Sequence, residues 1–230
     1  RELRPLDLIV PGDISSAAFP LVAAAIVPHS HITIENVGLN ETRTGLLDML
    51  RQMGASFVIE NERTTGGEPV ADLTVRFDEL HAADISGAVV VRGIDEFPIL
   101  AVAATQAAGN TTVHDAAELR VKEVDRISVL AGELRKMAVT MTEHPDGFTI
   151  AGPLRPYSAK VASHDDHRLG MSLAVAGLVT LGETLVHDAG CISDSFPGFV
   201  ETIQALGAQM EWIAKTVVQP PPCSFYLPVL

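Results

Sequence analysis

Apolar residues fall along this chain in three long clusters, each entered through an aspartate. The first is Asp13-Ile-Ser-Ser-Ala-Ala-Phe-Pro-Leu-Val-Ala-Ala-Ala25 and the second is Asp95-Glu-Phe-Pro-Ile-Leu-Ala-Val-Ala-Ala104. The third is Asp166-His-Arg-Leu-Gly-Met-Ser-Leu-Ala-Val-Ala-Gly177. Their apolar positions cover nearly the whole helical circumference, which predicts helices buried on all sides. A short β-rich stretch follows each: His31-Ile-Thr-Ile34, Asn110-Thr-Thr-Val113 and Glu183-Thr-Leu-Val186. A polar loop comes next, then an amphipathic helix. The three helix tails read Leu50-Arg-Gln-Met-Gly-Ala55, Leu134-Arg-Lys-Met-Ala-Val139 and Ile203-Gln-Ala-Leu-Gly-Ala208. Gly54 and Gly207 occupy the place where a helix C-cap takes positive φ, whereas the middle copy has Ala138 there, a poorer fit.

Further alternation at Phe57–Glu60, Asp72–Arg76 and Gly147–Ile150 predicts hairpin strands. Each unit therefore reads strand, helix, strand, helix, strand, strand, over residues 8–80, 81–150 and 151–211. The predicted fold class is α/β: a pseudo-threefold domain spanning 1–211, with sheets outside and Ala-rich helices buried inside. Residues 212–230 break the pattern with Gln219-Pro-Pro-Pro-Cys-Ser-Phe-Tyr-Leu-Pro-Val-Leu230 and read as an atypical Pro-rich, non-helical tail.

Composition narrows the function. With 47% hydrophobic and 20% charged residues, the 230-residue chain has the makeup of a globular domain, not of a disordered one. Its net charge of −13 argues against nucleic-acid partners, because it repels phosphate backbones. It also makes any local cluster of cations informative. Cys191 and Cys223 lie outside any CxxC pair, make no disulfide framework and fit a reducing compartment. The longest apolar runs, Phe19–Val27 and Met171–Leu181, are too short to cross a bilayer. With no leader pattern at the front, the expected location is cytoplasmic, away from membranes. The start at Arg1 sets the expectation of a fragment.

Candidate chemistry sits in the loops. In Arg120-Val-Lys-Glu-Val-Asp-Arg126, a helix opening here would put Lys122 and Arg126 four residues apart on one face. With Glu123 and Asp125 between them, this reads either as a solvated, salt-bridged helix start or as two cations converging on an anion at a helix N-terminus. His164-Asp-Asp-His167-Arg168 invites a metal, but the spacing matches no ligand pattern and Arg168 would lie beside the ion. A loop in which His167 and Arg168 meet a bound anion fits better, and no metal is expected. Asp95 taken alone is an N-cap. Asp13 and Asp166 stand at the corresponding mouths, so these loops are expected to converge at one end, with Ser15 and Ser16 as helix-start donors. Asn40-Glu-Thr-Arg-Thr44 and Ser193-Asp-Ser-Phe-Pro197 fill the loop places that match Arg120–Arg126. Arg43, Lys122, Arg126 and Arg168 are thus predicted to gather on one rim, suited to a doubly charged phosphorylated substrate.

Six stretches carry a resemblance: Val10–Phe19, Thr42–Gly45, Ile94–Pro98, Leu119–Arg126, Asp166–Arg168 and Ser195–Pro197. In this order they resemble the C-terminal half of the 5-enolpyruvylshikimate-3-phosphate synthase family, an enolpyruvyl transferase family whose domain is one half of an inside-out α/β barrel. Asp95-Glu-Phe-Pro98 looks closer to its glyphosate-tolerant bacterial class. The resemblance implies transfer of the enolpyruvyl group of phosphoenolpyruvate to the 5-hydroxyl of shikimate 3-phosphate, by addition and elimination, with release of phosphate and with no metal or organic cofactor. It implies Asp95 as base toward the hydroxyl and Glu123 as proton donor to the methylene. Lys122, Arg126, His167, Arg168 and Arg43 become the substrate-binding set. At Asp194 many family members carry a basic residue, so part of the grip is expected to differ here. Because the family has two such domains closing on substrate, an isolated half is expected to pair with a separate N-terminal half or a second copy, or to bind phosphoenolpyruvate weakly without catalysis. The sister transferase acting on UDP-N-acetylglucosamine is the alternative within the same fold.

Overall fold

The computed structural model describes residues 9–213, and the tail expectation for residues 214–230 lies outside them. The chain forms a mixed α/β domain in which three helices are buried at the centre. Helix α1 (Ile14–Ile26) is buried at every residue but Ser16, and α4 (Phe97–Gln106) at every residue but Gln106. Helix α6 (His167–Gly177) buries Leu169 to Leu173 together with Val175 and Ala176. The three pack against one another, and the small Ala and Gly side chains let their backbones approach closely. Buried on all sides, they need no polar face, as their composition predicts.

Sheets flank this trio. In the first unit β1 (His31–Gly38), β2 (Ser56–Thr65) and β3 (Glu68–Arg76) pair antiparallel in the order β1-β3-β2, and Gly12 bridges in parallel to Val37 at the outer edge. The second unit repeats this order. There β4 (Asp84–Ile85) runs parallel to β5 (Gly109–Val113), followed by β7 (Gly147–Gly152) and β6 (Met141–His144), both antiparallel. In the third unit β8 (Lys160–Ala162) runs parallel to β9 (Leu185–His187). A parallel neighbour demands a crossover, and α1, α4 and α6 supply it in turn. The expected hairpin strands fall within β2, β3 and β7.

Two expectations need correction. The third unit shows only β8 and β9 among the described residues; after α8 (Phe199–Ala205), residues 206–213 form no strand. The ladder strand that follows β2 and β6 in the other units, and holds them in place, has no counterpart there. The second unit also contains an unpredicted short helix, α3 (Ala88–Arg92), which packs on α2 (Gly45–Gln52).

The amphipathic second helices end alike. Ala55 N–H bonds to Leu50 C=O, Val139 to Leu134 and Ala208 to Ile203, each closing the same reversed turn. The residue before each is left-handed: Gly54 at φ 79°, Gly207 at 100° and Ala138 at 59°. Ala138 thus takes the conformation in spite of its Cβ, at a cost of about 1 kcal/mol. Ala138→Gly is expected to raise stability by about 0.5 kcal/mol, the relief of strain exceeding the extra entropy of the unfolded glycine. A urea midpoint that stays or falls would count against this.

Candidate functional site

The N-termini of the three buried helices meet at one end. Asp13 caps α1 by accepting from Ser15 and Ser16 N–H, and Asp166 caps α6 by accepting from Arg168 and Leu169 N–H. Asp95 departs from this pattern. It lies in a tight turn (Ile94–Glu96) ahead of α4, whose cap position falls to Glu96, and it caps nothing. The repeat is offset by one residue in the middle unit, which frees the Asp95 carboxylate to face the loops.

Four cations surround it. Lys122 Nζ lies 3.4 Å and Arg126 Nη1 3.5 Å from Asp95 Oδ1. Arg168 Nη2 lies 3.7 Å and Arg43 Nη2 3.8 Å from Oδ2. The predicted rim is therefore real, although Lys122 and Arg126 reach it by another route than a shared helix face. Lys122 sits in the loop after a 3-10 turn (Ala117–Val121), and Arg126 is the first residue of α5 (Arg126–Lys136), which Asp125 caps through Ser128 N–H. Arg120 shapes that loop: Nη1 bonds to Asp125 at 2.9 Å and Nε to the Pro145 carbonyl at 2.9 Å.

Arg126 is 2% exposed and holds the site to α6. Its Nε donates to Asp166 at 2.7 Å and its Nη2 to Glu123 at 2.6 Å. Its Nη1 is buried with no hydrogen-bond partner, facing Asp95 at ion-pair distance only. A guanidinium donor left over in this way is ready for an anion oxygen. Arg43 is half exposed, so the cluster opens to solvent rather than lining an enclosed cavity. A groove of about 250 Å³ lies elsewhere, between α2 and the β2–β3 hairpin, and contains none of these residues.

Adjacent acids are driven in opposite directions. Burial pushes Asp95 up, but Arg168, Lys122 and Arg126 outweigh it and hold the carboxyl below its usual range. Glu96 is buried, and burial raises its carboxyl despite the Ser15 hydroxyl and Arg168. His167 is lowered by burial and by Arg168, which favours the neutral ring. Burial without a full countercharge thus separates Glu96 from its neighbour Asp95, which the cations hold ionised.

The remaining predicted residues divide. Glu123 is half exposed and pairs with Arg126. His167 opens α6 beside Arg168, within the cluster's reach. The other half of the His-Asp-Asp-His run turns away: His164 bonds to Glu133 Oε1 at 2.8 Å, and among the described residues no three His, Cys, Asp or Glu side chains gather as metal ligands. Asp194 is exposed in the first turn of α7 (Ile192–Ser195). The sequence reading missed Glu96 as a polar centre and Glu133 as the tie between α5 and the loop before α6. Burial of a carboxylate leaves no periodic signature, and only Glu96's place beside Asp95 pointed to it. No described helix is long and apolar enough to cross a membrane.

Comparison with known proteins identifies the family. The chain is 56% identical over 205 residues to the 3-phosphoshikimate 1-carboxyvinyltransferase of Acaryochloris marina, covering 89% of this chain and 46% of that one. To the same-named protein of Synechococcus elongatus it is 55% identical, over the same shares. It superposes on an EPSP synthase structure from Acinetobacter baumannii with a TM-score of 0.84 at 42% identity, covering 87% of this chain and 47% of that one. The enolpyruvyl transferase NikO from Streptomyces tendae shares the fold at a TM-score of 0.71 and 20% identity, over 90% of this chain and 45% of that one. The chain thus spans about half the length of the relatives it matches. With the model of EPSP synthase (3-phosphoshikimate 1-carboxyvinyltransferase) matching residues 1–203, the chain belongs to the EPSP synthase family.

Proposed function

We propose that residues 1–211 are the C-terminal, pseudo-threefold half of such an enzyme and carry the phosphoenolpyruvate side of its active site. The observation that carries this reading is the convergence of Lys122, Arg126, Arg168 and Arg43 on Asp95 in a chain of net charge −13. In this reading the cations take the phosphate and carboxylate of phosphoenolpyruvate. His167, kept neutral, donates or accepts a hydrogen bond there. Asp95 accepts the proton of the shikimate 3-phosphate hydroxyl as its oxygen bonds to C2 of phosphoenolpyruvate, and Glu123 delivers a proton to C3. The tetrahedral adduct then loses phosphate from C2 and a proton from C3 to the Glu123 carboxylate, while the proton held by Asp95 leaves with the phosphate, which restores the enol ether and both carboxyl groups. No metal or organic cofactor enters this scheme.

Three finer points belong to the same reading. Asp194 supplies no cation, so the anion grip rests on the four that surround Asp95. The Asp95-Glu-Phe-Pro98 motif supports a reading of the chain as nearer the glyphosate-tolerant bacterial class. A partner, either a separate N-terminal half or a second copy, closes the site in the cytoplasm, since a half-site lacks the water exclusion and orientation that supply much of an enzyme's rate. The test is phosphate release from phosphoenolpyruvate plus shikimate 3-phosphate, by the chain alone and with an N-terminal half added, with Asp95→Ala as control. Release that needs the added half and disappears in the control is the expected result. Release unaffected by the control would refute the assignment of Asp95.

A further inference from the structure

We propose that Glu96 is a positioning residue for the anion-binding arginines, its buried carboxyl orienting Arg168 directly and Arg43 through the Ser15 hydroxyl. The proposal rests on the reading of the Asp95 rim as an anion site. Glu96 takes no part in the proton transfers assigned above, yet it is 2% exposed at the meeting point of three units. Ser15 Oγ, at the start of α1, donates to Glu96 Oε1 at 2.5 Å. Arg43 Nη2 donates to that same Ser15 Oγ at 2.9 Å. Arg168 Nη1, at the start of α6, donates to Glu96 Oε1 at 3.3 Å and to the Asp95 carbonyl at 3.2 Å. One carboxyl oxygen thus links α1, α4 and α6 and fixes two of the four cations.

A long arginine at an exposed rim samples many rotamers, and ordering it costs part of any anion's binding energy. A buried acceptor removes that cost in advance. Glu96 is also the first carboxyl behind the rim, so its charge opposes an incoming anion while its geometry assists it. The two effects have opposite signs, and experiment can separate them. The charged and polar groups facing Glu96 are Arg168, Arg43, Asp95 and the Ser15 hydroxyl. Burial raises its carboxyl, so acidification converts this acceptor to a neutral acid before it reaches Asp95.

The experiment uses sulfate as probe, an inorganic dianion whose own charge stays fixed across the working range. Sulfate affinity and the guanidinium 15N–1H signals of Arg168, assigned by their loss in Arg168→Lys, are followed in the full chain, Glu96→Ala and Glu96→Gln. Arrested guanidinium rotation is expected in the parent. Glu96→Ala should release it and weaken sulfate binding about tenfold, the scale of one charge-assisted hydrogen bond. Glu96→Gln keeps an acceptor oxygen and should hold affinity within about threefold, while removing the part of the pH profile that belongs to Glu96. His167 is present in both, so only the part of the profile that differs between them is assigned to Glu96. Should Glu96→Ala not fold, the Arg168 guanidinium signals carry the test: acidification should release them in the parent and leave them unchanged in Glu96→Gln. Unchanged Arg168 signals, or sulfate binding that tightens in Glu96→Ala, would overturn the proposal and leave Glu96 as only a negative charge in the wall. A parent that shows Glu96-dependent order at Arg168 yet binds no sulfate would instead overturn the anion-site reading on which the proposal stands.

Discussion

Arg126→Ala is expected to cost about 3–5 kcal/mol of stability, the scale for breaking a buried ion pair from one side. Asp166 is fully buried, and Arg126 is the countercharge it meets at 2.7 Å. Removing the guanidinium leaves that carboxylate only the two backbone N–H groups of the α6 cap. The loss is a large share of the 5–15 kcal/mol that typically separates folded from unfolded chains. Arg126→Lys keeps a charge but not the planar fork that serves Asp166 and Glu123 together, so it should recover only part of the loss. A double-mutant cycle with Asp166→Ala decides the cause. If the buried pair is responsible, the two losses will overlap strongly, and urea midpoints will show the double variant well short of their sum. Additive losses, or an Arg126→Ala cost below about 1 kcal/mol, would show that water satisfies Asp166 without it.

That pair also shows what the sequence could and could not reveal. The Ala-rich buried helices and the left-handed tails at Gly54 and Gly207 follow from local pattern, because burial and caps impose periodic or positional demands on the chain, whereas Ala138 fitted that pattern poorly and takes the same conformation nonetheless. The gathering of Arg43, Lys122, Arg126 and Arg168 followed from loop equivalence between units. The route did not: a four-residue spacing suggested a helix face, whereas the loop anchored by Arg120 brings Lys122 round to Asp95. Asp95 itself was aligned with the two true caps, and a one-residue offset took it out of that role. Neither an offset nor the partner of a buried charge alters local periodicity, so both become visible only when the units are packed together. The strands expected in the third unit fail for a related reason. Residues 206–213 follow the same turn as β2 and β6, but a strand is defined by its neighbour, and the described chain supplies none.

Asp95→Asn is expected to move two properties of the site in opposite directions. In the chain with its complementary half, turnover should fall by about 10²–10⁴, the usual contribution of a positioned general base. In the chain alone, phosphoenolpyruvate should bind about tenfold more tightly, equivalent to about 1.4 kcal/mol. The Asp95 carboxylate, with four cations within 3.8 Å, is the rim's internal counter-ion, and an incoming anion competes with it. A unit charge about 4 Å away is worth about 4 kcal/mol at an effective dielectric of 20, and solvent at the open rim reduces this. The gain should shrink as salt is added, because screening weakens exposed charges first. Acid stability provides a further check. A carboxyl held below its usual range stabilises the fold above its unfolded pKa of about 3.9, and that contribution is lost as the pH falls through the folded value. The variant's stability should therefore decline less steeply than the parent's below about pH 4. If affinity fell together with turnover, Asp95 would be holding the cations in place against their mutual repulsion, and the rim would be a structure that its own carboxylate assembles before substrate arrives.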